Sequence, residues 1–319
     1  MTELFTPATR QKTKLRMALQ GVSGGGKTLG ALYIAYGITG DWGRIALIDT
    51  EHERAREYAD RSDLPIPTGQ FLYAPMQPPY SVEHYIKYVQ AGARAVGPDG
   101  VVIIDSLSHA WSGAGGVLEY KDEIAASQRG QNSYTAWNAA GKLQNSLVDT
   151  ILSVPCHTIC TLRVKQDYAL QPNERGRMEP VKLGLAPIQR DNLEYEFDIV
   201  LNIARNHVAA TSKDVTFLDG FGAVITPQLG KDLAAWLNEG KEPVRYTCAD
   251  CGQRIRDSVQ RSGELVPAAQ CAATAEKRFG RPLCKACLLK AIKQEKEEAH
   301  DPSETAPDHP GQAAAAAQP

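Results

Sequence analysis

Short apolar runs alternate with longer amphipathic stretches over the first three-quarters of the chain. Leu15–Leu19, Arg44–Ile48, Phe71–Ala74, Val101–Ile104, His157–Leu162 and Phe197–Ile203 read as strands. Helical segments lie between most of them. In Trp137–Leu152 the apolar residues Ala140, Leu143, Leu147 and Ile151 recur at three- and four-residue spacing, which marks one buried helical face. Trp137 itself reads as core. This alternation predicts an α/β fold with a mainly parallel sheet covered on both faces. After Ile203, Val208–Asp214 and Val215–Leu218 read as antiparallel strands, and a helix near Asp232–Leu237 closes the core. No internal repeat interrupts the pattern.

The pattern changes at Glu239–Pro243, a polar break that reads as a linker. Residues 1–240 form the expected first domain and residues 241–293 a compact cysteine-bearing unit. From Gln294 the chain turns acidic and ends in an Ala-rich run, so residues 294–319 are expected to be a disordered tail. The chain has 319 residues, 43% of them hydrophobic, and a formal net charge of −2, which excludes a uniformly basic nucleic-acid coat. Arg245–Lys293 differs, with ten Lys/Arg against four Asp/Glu. No apolar run approaches the roughly 20 residues that span a bilayer, and Met1–Lys14 lacks an apolar signal segment. A cytoplasmic protein without membrane contact is expected.

Gly21-Val22-Ser23-Gly24-Gly25-Gly26-Lys27-Thr28 matches G-x-x-x-x-G-K-[ST] and lies between an apolar strand and a helix-compatible run, Leu29–Tyr36. Such a loop wraps phosphates with backbone N–H groups. Lys27 reaches the β and γ phosphates of ATP, and the Thr28 hydroxyl ligates Mg²⁺. A second Mg²⁺-directed group is needed at a strand end, and Asp105 closes the run Val101-Val-Ile-Ile-Asp105. Ser106 follows it where many such enzymes place a glutamate, so the base must come from elsewhere or be absent. Glu51, in Ile48-Asp49-Thr50-Glu51-His52, ends the second strand and opens onto the same sheet edge. A GTPase would carry Asn-Lys-x-Asp, and none is present; a small-molecule kinase stays open as a reading, without an evident acceptor site.

Ile48-Asp-Thr-Glu-His52 followed by Val101–Ser106 resembles the RecA family of recombinase ATPases. That resemblance implies Glu51 as catalytic base, Asp105 as Walker B carboxylate and Arg163 as γ-phosphate sensor, where RecA proteins usually have glutamine. Thr161-Leu-Arg-Val-Lys165 and Leu185–Asp198 extend it to the RecA-like, core-only single-strand-annealing ATP-binding proteins of bacteriophages, over roughly residues 14–237. It implies a homo-oligomer acting on single-stranded DNA in phage recombination, with a single-strand-binding protein as a further partner. Two connections would face the DNA. Ser106–Thr135 contains the polar, flexible stretches Ser112–Gly116 and Ser127–Tyr134, the latter with Arg129, and Lys165–Arg190 carries Lys165, Arg175, Arg177, Lys182 and Arg190 among Gly and Pro; Tyr134, Trp137 or Tyr168 would stack on bases. Arg190 is either an arginine finger toward a neighbouring subunit or the ion-pair partner of Glu194 or Glu196. Alternative readings are a replication-accessory or helicase-loading ATPase and a non-hydrolysing, nucleotide-gated binding module.

Cys248-x-x-Cys251 and Cys284-x-x-Cys287 have the shape of two zinc knuckles that together complete a tetrahedral, structural Zn²⁺ site of zinc-ribbon or treble-clef type. The 32 residues between the pairs exceed the usual spacing. Cys271 reads as a spare thiol, Cys156 and Cys160 as core residues, and His52 and His109 as packing or orienting groups.

Overall fold

The computed structural model describes residues 7–127, 133–172, 178–242, 246–260 and 265–298. Its sheet starts from the apolar runs. β1 (Arg16–Gly21) leads to α1 (Lys27–Thr39), β2 (Ile45–Asp49), β3 (Leu72–Pro75), α2 (Val82–Val96) and β4 (Val101–Asp105). Then come α3 (Ser108–Ser112), α4 (Val117–Ser127), α5 (Ser133–Ser153), β5 (His157–Pro172), β6 (Met178–Pro187), β7 (Ile199–Ile203), β8 (Val208–Asp214), β9 (Gly222–Val224) and α6 (Pro227–Leu237). The strands lie in the order β3-β2-β4-β5-β1-β7-β8-β9, with β6 paired to β5. From β3 to β7 every pairing is parallel; β8, β9 and β6 add antiparallel pairings.

All five residues of β2 and of β4 are buried, as expected for strands covered on both faces. On one face Leu32, Ile34, Leu233 and Leu237 of α1 and α6 pack with Leu19 and Ile103; on the other Tyr85, Val89, Leu147 and Ile151 of α2 and α5 pack with Ile48 and Ile104. The start of β1 carries a buried charge. The Arg16 guanidinium donates to the carbonyls of Leu152, Val154 and Cys156 at 3.1, 2.6 and 2.6 Å, which satisfies the exit of α5 and the turn into β5.

Several connections differ from expectation. Between Ser106 and Ser127 the connection is largely helical, with α3 and α4 on either side of Gly113–Gly116 and buried Val117 anchoring α4 against the core, while residues 128–132 of the expected polar stretch lie outside the described residues. Lys165–Arg190 is largely a β-hairpin, because β5 continues to Pro172 beyond its last parallel neighbour and pairs with β6 from Val164↔Pro187 to Pro172↔Met178. Val215–Leu218 forms no strand. The Asp214 carboxylate accepts from the N–H groups of Thr216 and Leu218 at 2.9 and 2.7 Å and bends the chain, so the next strand starts only at Gly222.

Residues through Lys241 form one compact unit and the described residues from Glu242 onward a second. In the second, β10 (Ser258–Val259) pairs with β11 (Leu265–Val266), followed by α7 (Ala268–Phe279) and α8 (Lys285–Glu298). The expected tail thus begins as helix, since α8 runs past Gln294 to Glu298; the rest of it lies outside the described residues.

Candidate nucleotide site

The carboxyl ends of β1, β2 and β4 share one edge, where β5 passes with Arg163 beside Gly21 before it runs on into the hairpin. At the end of β1 the chain passes so close to β7 that a Cβ on Gly21 would sit 2.3 Å from the Ile203 carbonyl oxygen. Gly26 then takes φ +92°, a left-handed conformation open to glycine, and starts α1 with its carbonyl bonded to the Gly30 N–H. The loop therefore presents the unpaired N–H groups of a 13-residue helix to whatever lies above it. Lys27 Nζ donates to the carbonyls of Gly21 and Val22, each at 2.9 Å. Burial lowers its pKa, opposed by the charges of Asp105 and Glu51.

Thr28 Oγ1 donates to Asp105 Oδ2 at 2.6 Å, and Thr161 Oγ1 donates to the other oxygen, Oδ1. Asp105 is almost fully enclosed, and burial raises its pKa despite both hydroxyls. A hydroxyl and an acidic oxygen side by side, in a pocket that penalises negative charge, is a donor set suited to Mg²⁺.

Glu51 is set by the buried Asp49. One Asp49 oxygen accepts the Glu51 N–H at 2.6 Å; the other accepts from the Ala55 N–H and the Tyr73 hydroxyl, each at 3.0 Å. His52 and Glu53 follow with left-handed φ of 59° and 63°, which completes the turn. Thr50 lies against His109, Oγ1 to Nδ1 2.7 Å, and His109 stacks on Tyr80, so His109 orients its neighbours. Arg163, from β5, grips Glu51 through Nε→Oε1 at 2.6 Å and a second bond from its terminal nitrogen to Oε2. Burial works to raise the Glu51 carboxyl, but Arg163, with Ser106 and His109, outweighs it and holds the pKa below the usual range.

These groups line one cavity of about 680 Å³: Gly21, Ser23, Gly24, Gly26, Lys27, Thr28, Glu51, Asp105 and Arg163 all reach it. Arg54, Tyr58 and Arg61 extend its wall, and Val164 and Ile188 at the root of the hairpin close it. None of these five was expected. His207 was also missed: from the β7–β8 turn its Nδ1 bonds to the Gly25 carbonyl at 3.1 Å.

The remaining candidates lie elsewhere. Lys165 and Lys182 are exposed on the hairpin, where Lys182 pairs across from exposed Tyr168. Arg129, Arg175, Arg177 and the Tyr134 side chain lie outside the described residues. Arg190 pairs with neither Glu194 nor Glu196; it donates to Asn145 Oδ1 at 2.7 Å, because the 193–196 turn follows while α5 lies alongside. Trp137 is not core. It is 42% exposed, since Ala136 and Ala140 take the inward positions of α5, and it stacks on Trp111 beneath the Lys121 ammonium. In the second unit Cys248, Cys251, Cys284 and Cys287 converge, whereas Cys156 and Cys160 are buried core thiols. Among the described residues no helix is long and apolar enough to cross a membrane.

A family model described as an AAA domain matches residues 13–226, which include every group around the cavity. No curated protein matches the sequence.

Proposed function

The chain belongs to the AAA domain family, whose P-loop binds ATP, and from that premise we propose that it hydrolyses ATP and couples turnover to single-stranded DNA. The observation that carries hydrolysis is the convergence of Lys27, Thr28, Asp105 and Glu51 on one cavity beside a helix N-terminus. In this reading the loop amides and Lys27 bind the phosphates, and Thr28 and Asp105 hold Mg²⁺. Bound there, Mg²⁺ supplies positive charge against the phosphate oxygens. Glu51 accepts the proton of the attacking water, and Arg163 contacts the terminal phosphate.

The DNA half rests on the resemblance to RecA-like annealing proteins and on the same sheet edge. Trp111 and Trp137 with Lys121, and the hairpin with Lys165, Tyr168 and Lys182, follow the neighbouring strands β4 and β5 and combine aromatic faces with cations. A homo-oligomer that anneals or pairs strands, with Arg190 toward a neighbouring copy, belongs to this proposal.

The test compares ATP turnover of wild type and Glu51→Gln, each with and without single-stranded DNA. DNA-stimulated turnover that is lost in Glu51→Gln, with nucleotide binding retained, is the expected outcome. Turnover unchanged by the substitution would remove Glu51 as base, and turnover indifferent to DNA would remove the coupling.

A further inference from the structure

The second unit has very little with which to hold itself together. Its buried interior consists of Cys248, Ile255, Ala272, Ala275, Leu283, Cys284 and Ala291, so Ile255 and Leu283 are its only large aliphatic members among the described residues. At about 25 cal/mol per Å² of apolar surface, such a core offsets only a small part of the ~1–2 kcal/mol per residue that ordering the backbone costs. Units of this size generally need a further cross-link. Neither the two-residue strands β10 and β11 nor the exposed Leu265 and Val259 on them supplies it.

The four cysteines lie where a cross-link would be. Their Sγ atoms all fall within 4.8 Å of one another, and Cys251 Sγ is 3.7 Å from Cys284 Sγ. A disulfide requires about 2.05 Å. Four thiolates at about 2.3 Å from a tetrahedral ion sit roughly 3.8 Å apart, which the Cys251–Cys284 separation matches and the 4.8 Å limit on the other pairs allows. The frame around them is built independently of the sulfurs. Gly252, at φ +67°, turns the first pair and donates its N–H to the Cys248 carbonyl at 2.9 Å. The Ala249 N–H donates to the Pro282 carbonyl at 2.9 Å, and Arg281 holds Asp250 through Nε→Oδ1 at 2.6 Å, so the two pairs are tied although 32 residues separate them. The second pair opens α8, where the Leu288 N–H bonds to the Cys284 carbonyl.

We infer that the second unit folds around one Zn²⁺ held by Cys248, Cys251, Cys284 and Cys287 as a closed tetrathiolate site, and that this ion, not apolar packing, keeps the unit folded. Four protein thiolates leave no position for water or substrate, so the ion is structural. Cys271, whose Sγ lies 3.6 Å from the Val266 carbonyl oxygen, is not a ligand. This inference stands apart from the ATPase reading, because none of these residues reaches the nucleotide cavity.

The test uses the full chain purified without chelator. Elemental analysis is expected to give one zinc per chain in wild type and Cys271→Ser, and loss of that zinc in Cys251→Ser and Cys287→Ser. Because a ligand variant is expected to unfold the unit, wild type is examined in parallel by hydrogen exchange before and after stripping with a mercurial and a chelator. Amides of residues 246–298 should lose protection and recover it on adding Zn²⁺, while those of residues 14–237 stay unchanged. Iron in place of zinc, a Cys–Cys disulfide with no metal, or protection of residues 246–298 that survives stripping would each overturn the inference.

Discussion

Arg163 and Glu51 form a bidentate ion pair across the carboxyl edge of the sheet, one from β5 and the other from the turn after β2, on the wall of the phosphate-loop cavity. The pair decides the protonation of Glu51. Burial alone favours the neutral carboxyl, and the guanidinium reverses that balance. In Arg163→Ala the largest influences opposing burial are lost and only the weaker ones from Ser106 and His109 remain, so the Glu51 pKa rises and the acid limb of the kcat profile moves to higher pH. Turnover at neutral pH should fall at least about tenfold if, as proposed, Arg163 also contacts the terminal phosphate. An unchanged acid limb with unchanged kcat would show that neither effect operates.

His207 and Gly25 are 182 residues apart, yet the imidazole Nδ1 must donate to the glycine carbonyl, since a carbonyl oxygen only accepts. That bond holds the Gly25 carbonyl, and with it the shape of the loop whose N–H groups are proposed to bind the phosphates. His207→Ala should therefore weaken nucleotide binding about fivefold, the worth of one neutral hydrogen bond, while kcat at saturating ATP stays within about twofold. Titration with a fluorescent ATP analogue, beside steady-state kinetics, separates the two. Equal affinity in the variant would mean the loop holds its shape without the bond.

His157 predicts an acid sensitivity of the fold. Its Nδ1 accepts the Leu15 N–H at 3.0 Å, so a proton there would face a donor. Burial, together with the charges of Lys14 and Arg16, lowers its pKa to about 3. The group is neutral in the fold and charges more readily when unfolded, so its contribution is complete above roughly pH 6.5 and declines as pH falls toward about 3. At pH 5 the loss relative to neutral pH is about 2 kcal/mol by this linkage. His157→Asn, whose amide oxygen can accept the same N–H, should show a smaller fall in Tm between pH 7.5 and 5 than wild type. Parallel curves would assign the acid sensitivity to other groups.

The phosphate loop and Asp105 were legible in the sequence because each is a local run whose chemistry depends on immediate neighbours. Glu51 was legible for the same reason, as the end of an apolar strand. Arg54, Tyr58 and Arg61 were not: the turn that carries them is set by the Asp49 carboxylate bonding forward to Glu51 and Ala55, a choice no periodicity records. The hairpin is not evident from the sequence, because cations, Gly and Pro are spread through Lys165–Arg190 and its apolar residues Tyr168, Met178, Val181 and Leu185 are exposed instead of marking a buried face. Arg16 sat inside an apolar run with nothing to announce that three carbonyls from 136 or more residues away would surround it.

Trp137 and the hairpin lysines should fail in different ways if the sheet edge binds single-stranded DNA. The Trp137 indole is exposed, backed by Trp111 and overlain by the Lys121 ammonium, so a base would stack on it once that side chain moves aside, and stacking itself is largely indifferent to salt. Trp137→Ala should cost about 1–3 kcal/mol of affinity at every salt concentration, the range for one base–aromatic contact. Lys165 and Lys182 are exposed cations whose gain comes from displaced counterions. Replacing either by Ala should lower the slope of log K against log salt by about 0.7 and matter less as salt rises. Fluorescence anisotropy with a labelled oligothymidylate at four salt concentrations reads both slopes. If Trp137→Ala changed the slope and the lysine variants changed only the intercept, the assignment of stacking to α5 and of phosphate contact to the hairpin would be reversed. If neither changed binding, DNA would have to meet the chain elsewhere.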